Sequence, residues 1–298
     1  DIADLLGKQV ITTQYASNVI IREEQSAAAL EVMSRFAVNP KWLIYLPPTM
    51  SPSETSTLPD YLEHPAEAFA YFRNQGVEQV ICEEKHMGSR AVVVIARNEK
   101  IIRERFGIEN EGTGMIYTRT GRAFFADDKT TEQAFLKRLG EALTAADFWT
   151  IHETDWVCLD CELMPWSAKA RKLLEEQYAA TGAAGTNSLK SAVAALTETV
   201  KRLPEAADLL QSYMEREALL QDYIKAYRHY CWDVKSLDDY KLAPFHILAS
   251  EGKTYFDKDH VWHLEAIQKV CEADPIMLLA TPYRVVNLKD ETSVAEAT

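Results

Sequence analysis

Between Trp166 and about Lys235 the apolar residues recur at intervals of three and four: Leu189, Val193, Leu196 and Val200, then Leu210, Met214 and Ala218. That period gathers them on one side of a helix. Alanine is abundant there and Pro204 is the only proline, so little interrupts the helices. Strand-like patterns lie on both sides of this block. A helical stretch set inside strand-rich sequence predicts an α+β fold in which the helices are an insertion, not a layer alternating with the strands.

Before the insertion, Ser26 to Phe36 repeats apolar residues at helical spacing, and Pro47, Pro48, Pro52 and Pro59 then mark a long surface connection. Residues 78 to 84, 91 to 97 and 101 to 106 are rich in Val and Ile and are expected as strands. Asn98-Glu99-Lys100 is expected as a hairpin between the last two, hence an antiparallel sheet. A second hairpin is expected where Met115-Ile116-Tyr117 and Ala123-Phe124-Phe125 flank Thr118-Arg119-Thr120-Gly121. Phe135, Leu139 and Leu143 predict a helix within 131 to 148, and Trp156 to Leu163 a strand. Mixed strand and helix signals resume at Tyr240, and no solenoid repeat occurs.

The 298 residues are 47% hydrophobic and 26% charged, enough for a large core. No run of eighteen apolar residues and no leader-like N-terminus occur, so the chain is expected to be soluble and cytoplasmic. Five sparse cysteines agree with a reducing compartment. A net charge of −13 excludes a broad basic surface for long duplexes. Lys85 to Arg122 nevertheless holds eight Lys or Arg against four Glu, the local place for phosphate. The ten basic and nine acidic residues of the insertion nearly cancel. The chain opens on Asp1 and ends in Ala-Glu-Ala-Thr, and is expected to be a piece of something longer.

Three segments carry chemistry. In Glu83-Glu84-Lys85-His86-Met87-Gly88-Ser89-Arg90, a lysine packed at a strand end is expected to be partly desolvated and nucleophilic. Gly88 permits a tight turn beside a ligand, Arg90 offers a planar fork for phosphate or ribose oxygens, and alternation puts Glu83 and Lys85 on one face. A solvated charged turn is the plainer alternative. In Asp155-Trp-Val-Cys-Leu-Asp-Cys-Glu-Leu-Met164, period two gives Val157, Leu159, Cys161 and Leu163 one face, and Cys158, Asp160 and Glu162 the other. Two carboxylates on an apolar strand need a ribose hydroxyl, a magnesium ion or Arg90, unless that side is an edge facing water. Cys158 and Cys161, on opposite faces and with no second pair, make a poor zinc site. In Lys241-Leu-Ala-Pro-Phe-His-Ile-Leu248, Phe245 suits stacking on a purine, although a lone Phe in a strand is more often core and His246 more often structural.

Lys85-x-x-Gly88-x-Arg90, the Arg119 turn, Asp160-Cys-Glu162-Leu and Lys241 to Leu248, in that order, resemble the covalent nucleotidyltransferase superfamily of polynucleotide ligases and capping enzymes. The wording Cys-Glu-Glu-Lys-His-Met-Gly-Ser-Arg, with a helical insertion after Cys-Glu-Leu-Met-Pro-Trp, is similar to the ligase domain of bacterial polynucleotide kinase-phosphatase-ligase enzymes over essentially the whole chain. The resemblance implies an antiparallel, ATP-grasp-like ligase core in 1–80, 81–166 and 237–298, interrupted by helices in 167–236. It implies an ATP-dependent RNA ligase in RNA repair, using magnesium or manganese. Lys85 would form lysyl-AMP, Arg90, Arg119 and Glu162 would contact ribose and phosphate, Phe245 would stack on adenine, and Glu83 would lie near its amino group. Asp160 is added on geometry as a metal-side carboxylate. GTP-using capping enzymes share the lysine motif. Implied partners are RNA ends, kinase and phosphatase domains of a longer chain, and an RNA 3′-terminal ribose 2′-O-methyltransferase. The superfamily's Glu-Gly-x-Val-x-Lys and Lys-x-Lys strands have no counterpart after Phe245. The chain is therefore expected to bind ATP but adenylylate itself poorly, or to serve as an interaction module for a repair partner.

Overall fold

A computed structural model describes residues 7–13, 17–47, 55–126 and 128–298, apart from the side chain of Arg171. A hairpin of β1 (Gln9–Ile11) and β2 (Val19–Ile21) precedes α1 (Glu23–Phe36), α2 (Pro65–Asn74), β3 (Gln79–Glu83) and β4 (Ser89–Ala96). Next come α3 (Glu99–Phe106), β5 (Gly114–Thr118), α4 (Lys129–Ala145), α5 (Phe148–Ile151) and β6 (Trp156–Met164). The helical block is α6 (Ser167–Leu173), a π-helical stretch (Leu174–Ala179), α7 (Ala180–Val200) and α8 (Ala207–Arg228). β7 (Lys241–Ser250), β8 (Lys253–Thr254), α9 (His260–Ala273), β9 (Tyr283–Asn287) and α10 (Glu291–Ala297) complete the described chain.

The centre is an antiparallel sheet of order β5-β4-β6-β7-β8. One face, with Ala91, Val93 and Ile95 of β4 and Val157, Leu159, Cys161 and Leu163 of β6, packs on Phe135, Leu139 and Leu143 of α4 and on Ile267 and Val270 of α9. The other face, with Val92, Val94, Tyr117 and Cys158, is covered by Trp42, Ile102 and Ile108. β4 is thus buried on both sides, which is why Ala-Val-Val-Val-Ile-Ala shows no alternation. β6 and β7 pair directly, Met164 opposite Lys241, although the whole helical block separates them in sequence.

Residues 101–106 are a helix, not the second arm of a hairpin. Asn98 caps its start by accepting from the Ile101 amide, Gly107 ends it at φ 62°, and Ile102 and Phe106, four apart, both reach the core. The 115–117 and 123–125 arms do fold back on each other, with a Tyr117 to Ala123 bridge. The expected strand at 78–84 forms as β3 but pairs with β9 in a separate two-stranded sheet, backed by a small cluster of Phe69, Val286 and Leu288. The connection after α1 is only partly a surface one: Trp42 is fully buried and donates its indole N–H to Glu111 at 2.8 Å. Pro48 and Pro52 of that connection lie outside the described residues. No helix among the described residues is long and apolar enough to cross a membrane.

Candidate active site

The lysine loop, residues 84–88, bridges the β3-β9 ribbon and the central sheet. It is tied at both flanks. Ahead of it, the Glu83 carboxylate pairs with His260 in the first turn of α9, and the Glu84 amide donates to the Pro282 carbonyl at 3.0 Å. Donation of a hydrogen bond from His260 to the Glu83 carboxylate raises the His260 pKa against the cost of burial. Within the loop, His86 Nε2 lies 3.0 Å from Thr281 Oγ1. Behind it, the Gly88 amide donates to Glu162 Oε1 at 3.0 Å. A Cβ on Gly88 would stand 2.4 Å from the Leu163 carbonyl oxygen, so the loop comes as close to β6 as glycine allows.

Between these ties the Lys85 side chain is exposed. It is not packed against the sheet, because β3 ends at Glu83 and Lys85 already belongs to the loop. For the same reason Glu83 and Lys85 do not share a strand face. Backbone fixation with a free amine allows attack on a substrate that docks against the loop. Desolvation of the amine would then come from the docked substrate.

β6 alternates as expected, with Cys158, Asp160 and Glu162 on the side opposite Cys161. Arg90 lies opposite Glu162 in the ladder and reaches along the sheet to Asp160, Nε to Oδ1 at 2.9 Å and Nη2 to Oδ2 at 2.5 Å. This fork-to-carboxylate geometry engages both oxygens of a carboxylate that is 1% exposed. Asp160 is therefore paired with Arg90. Among the described residues no group of three His, Cys, Asp or Glu is placed to hold a metal ion.

Glu162, half-buried, has its pKa pushed up to about 7 by burial, against the pull of the Gly88 amide and Arg90. Phe245 is the extra residue of a β-bulge, since Asp160 faces His246 and Cys161 faces Pro244. Its ring is half-buried and 5.6 Å from the Arg90 guanidinium carbon. Arg119 sits exposed in the turn after β5, whose Thr118 pairs with Ala91, so it joins Arg90 at the same end of the sheet. Cys158 and Cys161 are buried on separate faces, their thiols pushed up by burial.

Tyr45, His260 and Thr281 are additions that sequence reasoning missed. The Tyr45 carbonyl accepts from the Tyr117 hydroxyl at 2.8 Å, and burial followed by the Asp160 charge raises the Tyr45 pKa. The aromatic run at Trp42 to Tyr45 was a readable signal of burial. Nothing local signals that His260 meets Glu83.

A lysine loop fixed over the end of an antiparallel sheet, with a carboxylate strand beneath it and helices inserted between two paired strands, defines a mixed helix-and-sheet nucleotidyltransferase domain. A family model described as the PNKP adenylyltransferase domain, ligase domain, matches residues 28–298, and the chain belongs to that family. Two solved structures share its fold. One, "Structure of Pnkp1/Rnl/Hen1 complex", has a TM-score of 0.55 and 17% identity, covering 84% of this chain and 65% of that one. Another, "Structure of the Pnkp1/Rnl/Hen1 RNA repair complex", has a TM-score of 0.55 and 16% identity, covering 91% and 69%. This chain thus spans less than two thirds of the length of the first. No curated protein matches it significantly.

Proposed function

We propose that the chain carries the adenylyltransferase site of an ATP-dependent RNA ligase, with Lys85 as the nucleophile. The observation that carries this reading is the tethered loop, which presents an exposed amine at the sheet end bearing Arg90, Arg119, Glu162 and Phe245. Lys85 Nζ attacks the α-phosphorus of ATP and loses one proton. The bond from that phosphorus to pyrophosphate breaks and AMP remains on nitrogen. A 5′-phosphorylated RNA end then takes the AMP, and the adjoining 3′-hydroxyl attacks the activated phosphate and releases AMP, sealing the strand.

In this reading Phe245, turned out by its bulge, stacks on adenine, and Glu83 lies near the adenine amino group. Arg90, Arg119 and Glu162 contact ribose and phosphate, Arg90 keeping Asp160 as its charge partner. The helical block in 167–236 is an insertion into a nucleotide-binding unit made of 1–80, 81–166 and 237–298; the direct β6-β7 pairing supports it. Family membership and the named repair complexes support a place in RNA repair beside kinase and phosphatase domains and a 3′-terminal 2′-O-methyltransferase.

Incubation with α-labelled ATP, followed by denaturing electrophoresis, tests the proposal. Weak label on the chain that Lys85→Ala abolishes, and thermal protection by ATP beyond that by GTP, are expected. Label retained by Lys85→Ala, or no protection by either nucleotide, would overturn it.

A further inference from the structure

Aromatic side chains crowd the foot of the helical block. Tyr178 stacks on Tyr223 with the rings 9° from parallel, and Trp166 and Tyr227 meet Tyr178 edge-on. Beside them is a recess of about 580 Å³ walled in part by Tyr227, Trp232 and Tyr240. That volume falls within the roughly 300–1,000 Å³ of small-ligand clefts. Trp232 is 37% exposed and the neighbouring Tyr230 is 40% exposed, so both keep surface open to solvent beside the recess. A π-helical stretch, Leu174–Ala179, forms part of the same wall, and such bulges often accompany functional sites.

Charge narrows the choice of ligand. Lys235 lies on the recess wall, and Lys225 and Arg228 line the adjoining surface at the C-terminal turn of α8. Glu175 and Asp233 share the recess wall. Mixed charge of this kind, on a chain of net charge −13, cannot hold a polyanion by counterion release alone. It suits one or two phosphates held while bases stack on the rings. The location fits the reaction. Trp166 donates its amide to the Tyr230 carbonyl at 3.1 Å, two residues beyond the end of β6. The same strand end, at Leu163, lies opposite Ser89 and against Gly88 of the lysine loop.

We propose that this aromatic recess is a stacking platform for the single-stranded RNA end that the ligase site acts on, with Trp232 as its principal ring. The inference rests on the ligase reading, which supplies the strand. Stacking on one ring is worth on the order of 1–3 kcal/mol per base, or roughly 5- to 150-fold in affinity. With one or two phosphates engaged, the slope of log affinity against log salt is about −0.7 to −1.4.

The test is fluorescence anisotropy with a 3′-labelled, 5′-phosphorylated single-stranded RNA, on the full chain without ATP. Trp232→Ala should weaken binding within that range. Trp232→Phe should restore it to within a few-fold, although it loses the indole hydrogen bond to the Asp239 carbonyl that holds the ring in place. Both variants should keep the wild-type circular dichroism and the wild-type self-labelling with ATP. If Trp232→Ala is folded and binds RNA as wild type does, or if Trp232→Phe binds no better than Trp232→Ala, the platform is wrong and the surface is left to a protein partner. A slope steeper than about −3 would equally overturn it, because charge would then outweigh stacking. If RNA binding behaves as expected but Lys85 is never labelled, the platform stands and the ligase reading falls.

Discussion

Asp160→Ala would separate the two roles available to this carboxylate. Its side chain is 2% exposed, and among the described residues its salt-bridge partner is Arg90, itself 19% exposed, gripping both oxygens. Removing one member of a buried pair costs about 3–5 kcal/mol, mostly because the other charge is stranded. Arg90 keeps some access to water and its contact with the Phe245 ring, so the low end, about 3 kcal/mol, is expected. For a chain of this size that lowers the melting temperature by on the order of 6–10 °C. Urea titrations followed by tryptophan fluorescence would measure it, in a cycle with Arg90→Met. The double variant should recover more than half of the loss, since no unpaired charge remains. The loss should change little with salt, unlike that of a surface pair. A loss under about 1 kcal/mol, or strict additivity in the cycle, would refute the argument and return Asp160 to a metal-side role.

Three other substitutions probe the site. Gly88→Ala forces a Cβ into the Leu163 carbonyl and should cost about 1–3 kcal/mol while displacing the lysine loop; unchanged melting and self-labelling would show that the loop yields freely. Glu162 is raised from 4.5 to about 7, so its contribution is full below about pH 4.5 and is lost as pH rises through 7. Relative to wild type, Glu162→Gln should gain stability across that window, by at most about 3 kcal/mol, and a pH-independent difference in denaturation midpoint would exclude the shift. Phe245→Ala should weaken ATP binding by about 1–3 kcal/mol in calorimetry, with equal affinities assigning the ring to the core.

The fold was legible where a pattern was long or strictly periodic. From Val157 to Leu163 a period of two sets Val157, Leu159, Cys161 and Leu163 against Cys158, Asp160 and Glu162, and those two faces are the ones observed. Phe135, Leu139 and Leu143 recur at four and line one helix face. Residues 101–106 were misread because six residues with Ile101-Ile102 and Phe106 satisfy either period. There the punctuation was the better guide, with Asn98 a helix cap and Gly107 a helix stop. Arg90 was a named candidate partner for the β6 carboxylates, and the structure selects it for Asp160. The exposure of Lys85 was not legible, because it depends on where β3 ends, which the distant strand β9 decides.

That dependence has an energetic consequence. The ties from the lysine loop and its flanks to the rest of the fold are long in sequence: His86 to Thr281 spans 195 residues, Gly88 to Glu162 spans 74, Glu83 reaches His260, and β3 is held by β9. The ties divide between two cores of unequal size. Glu162 belongs to β6, buried between two large hydrophobic clusters, whereas β3 and β9 are backed by a satellite of Phe69, Val286 and Leu288. Local opening free energy follows buried apolar contact, so the β3-β9 ribbon should open before the central sheet. Opening there releases the backbone ahead of the loop while Gly88 stays anchored to Glu162 and the Glu83 carboxylate keeps its pair with His260 of α9. Lys85, the proposed nucleophile, would then lose its position without loss of the proposed nucleotide surface. Positioning of Lys85 and shape of the nucleotide surface are therefore set by separate parts of the fold, and a substitution such as Val286→Ala would reach the first without the second.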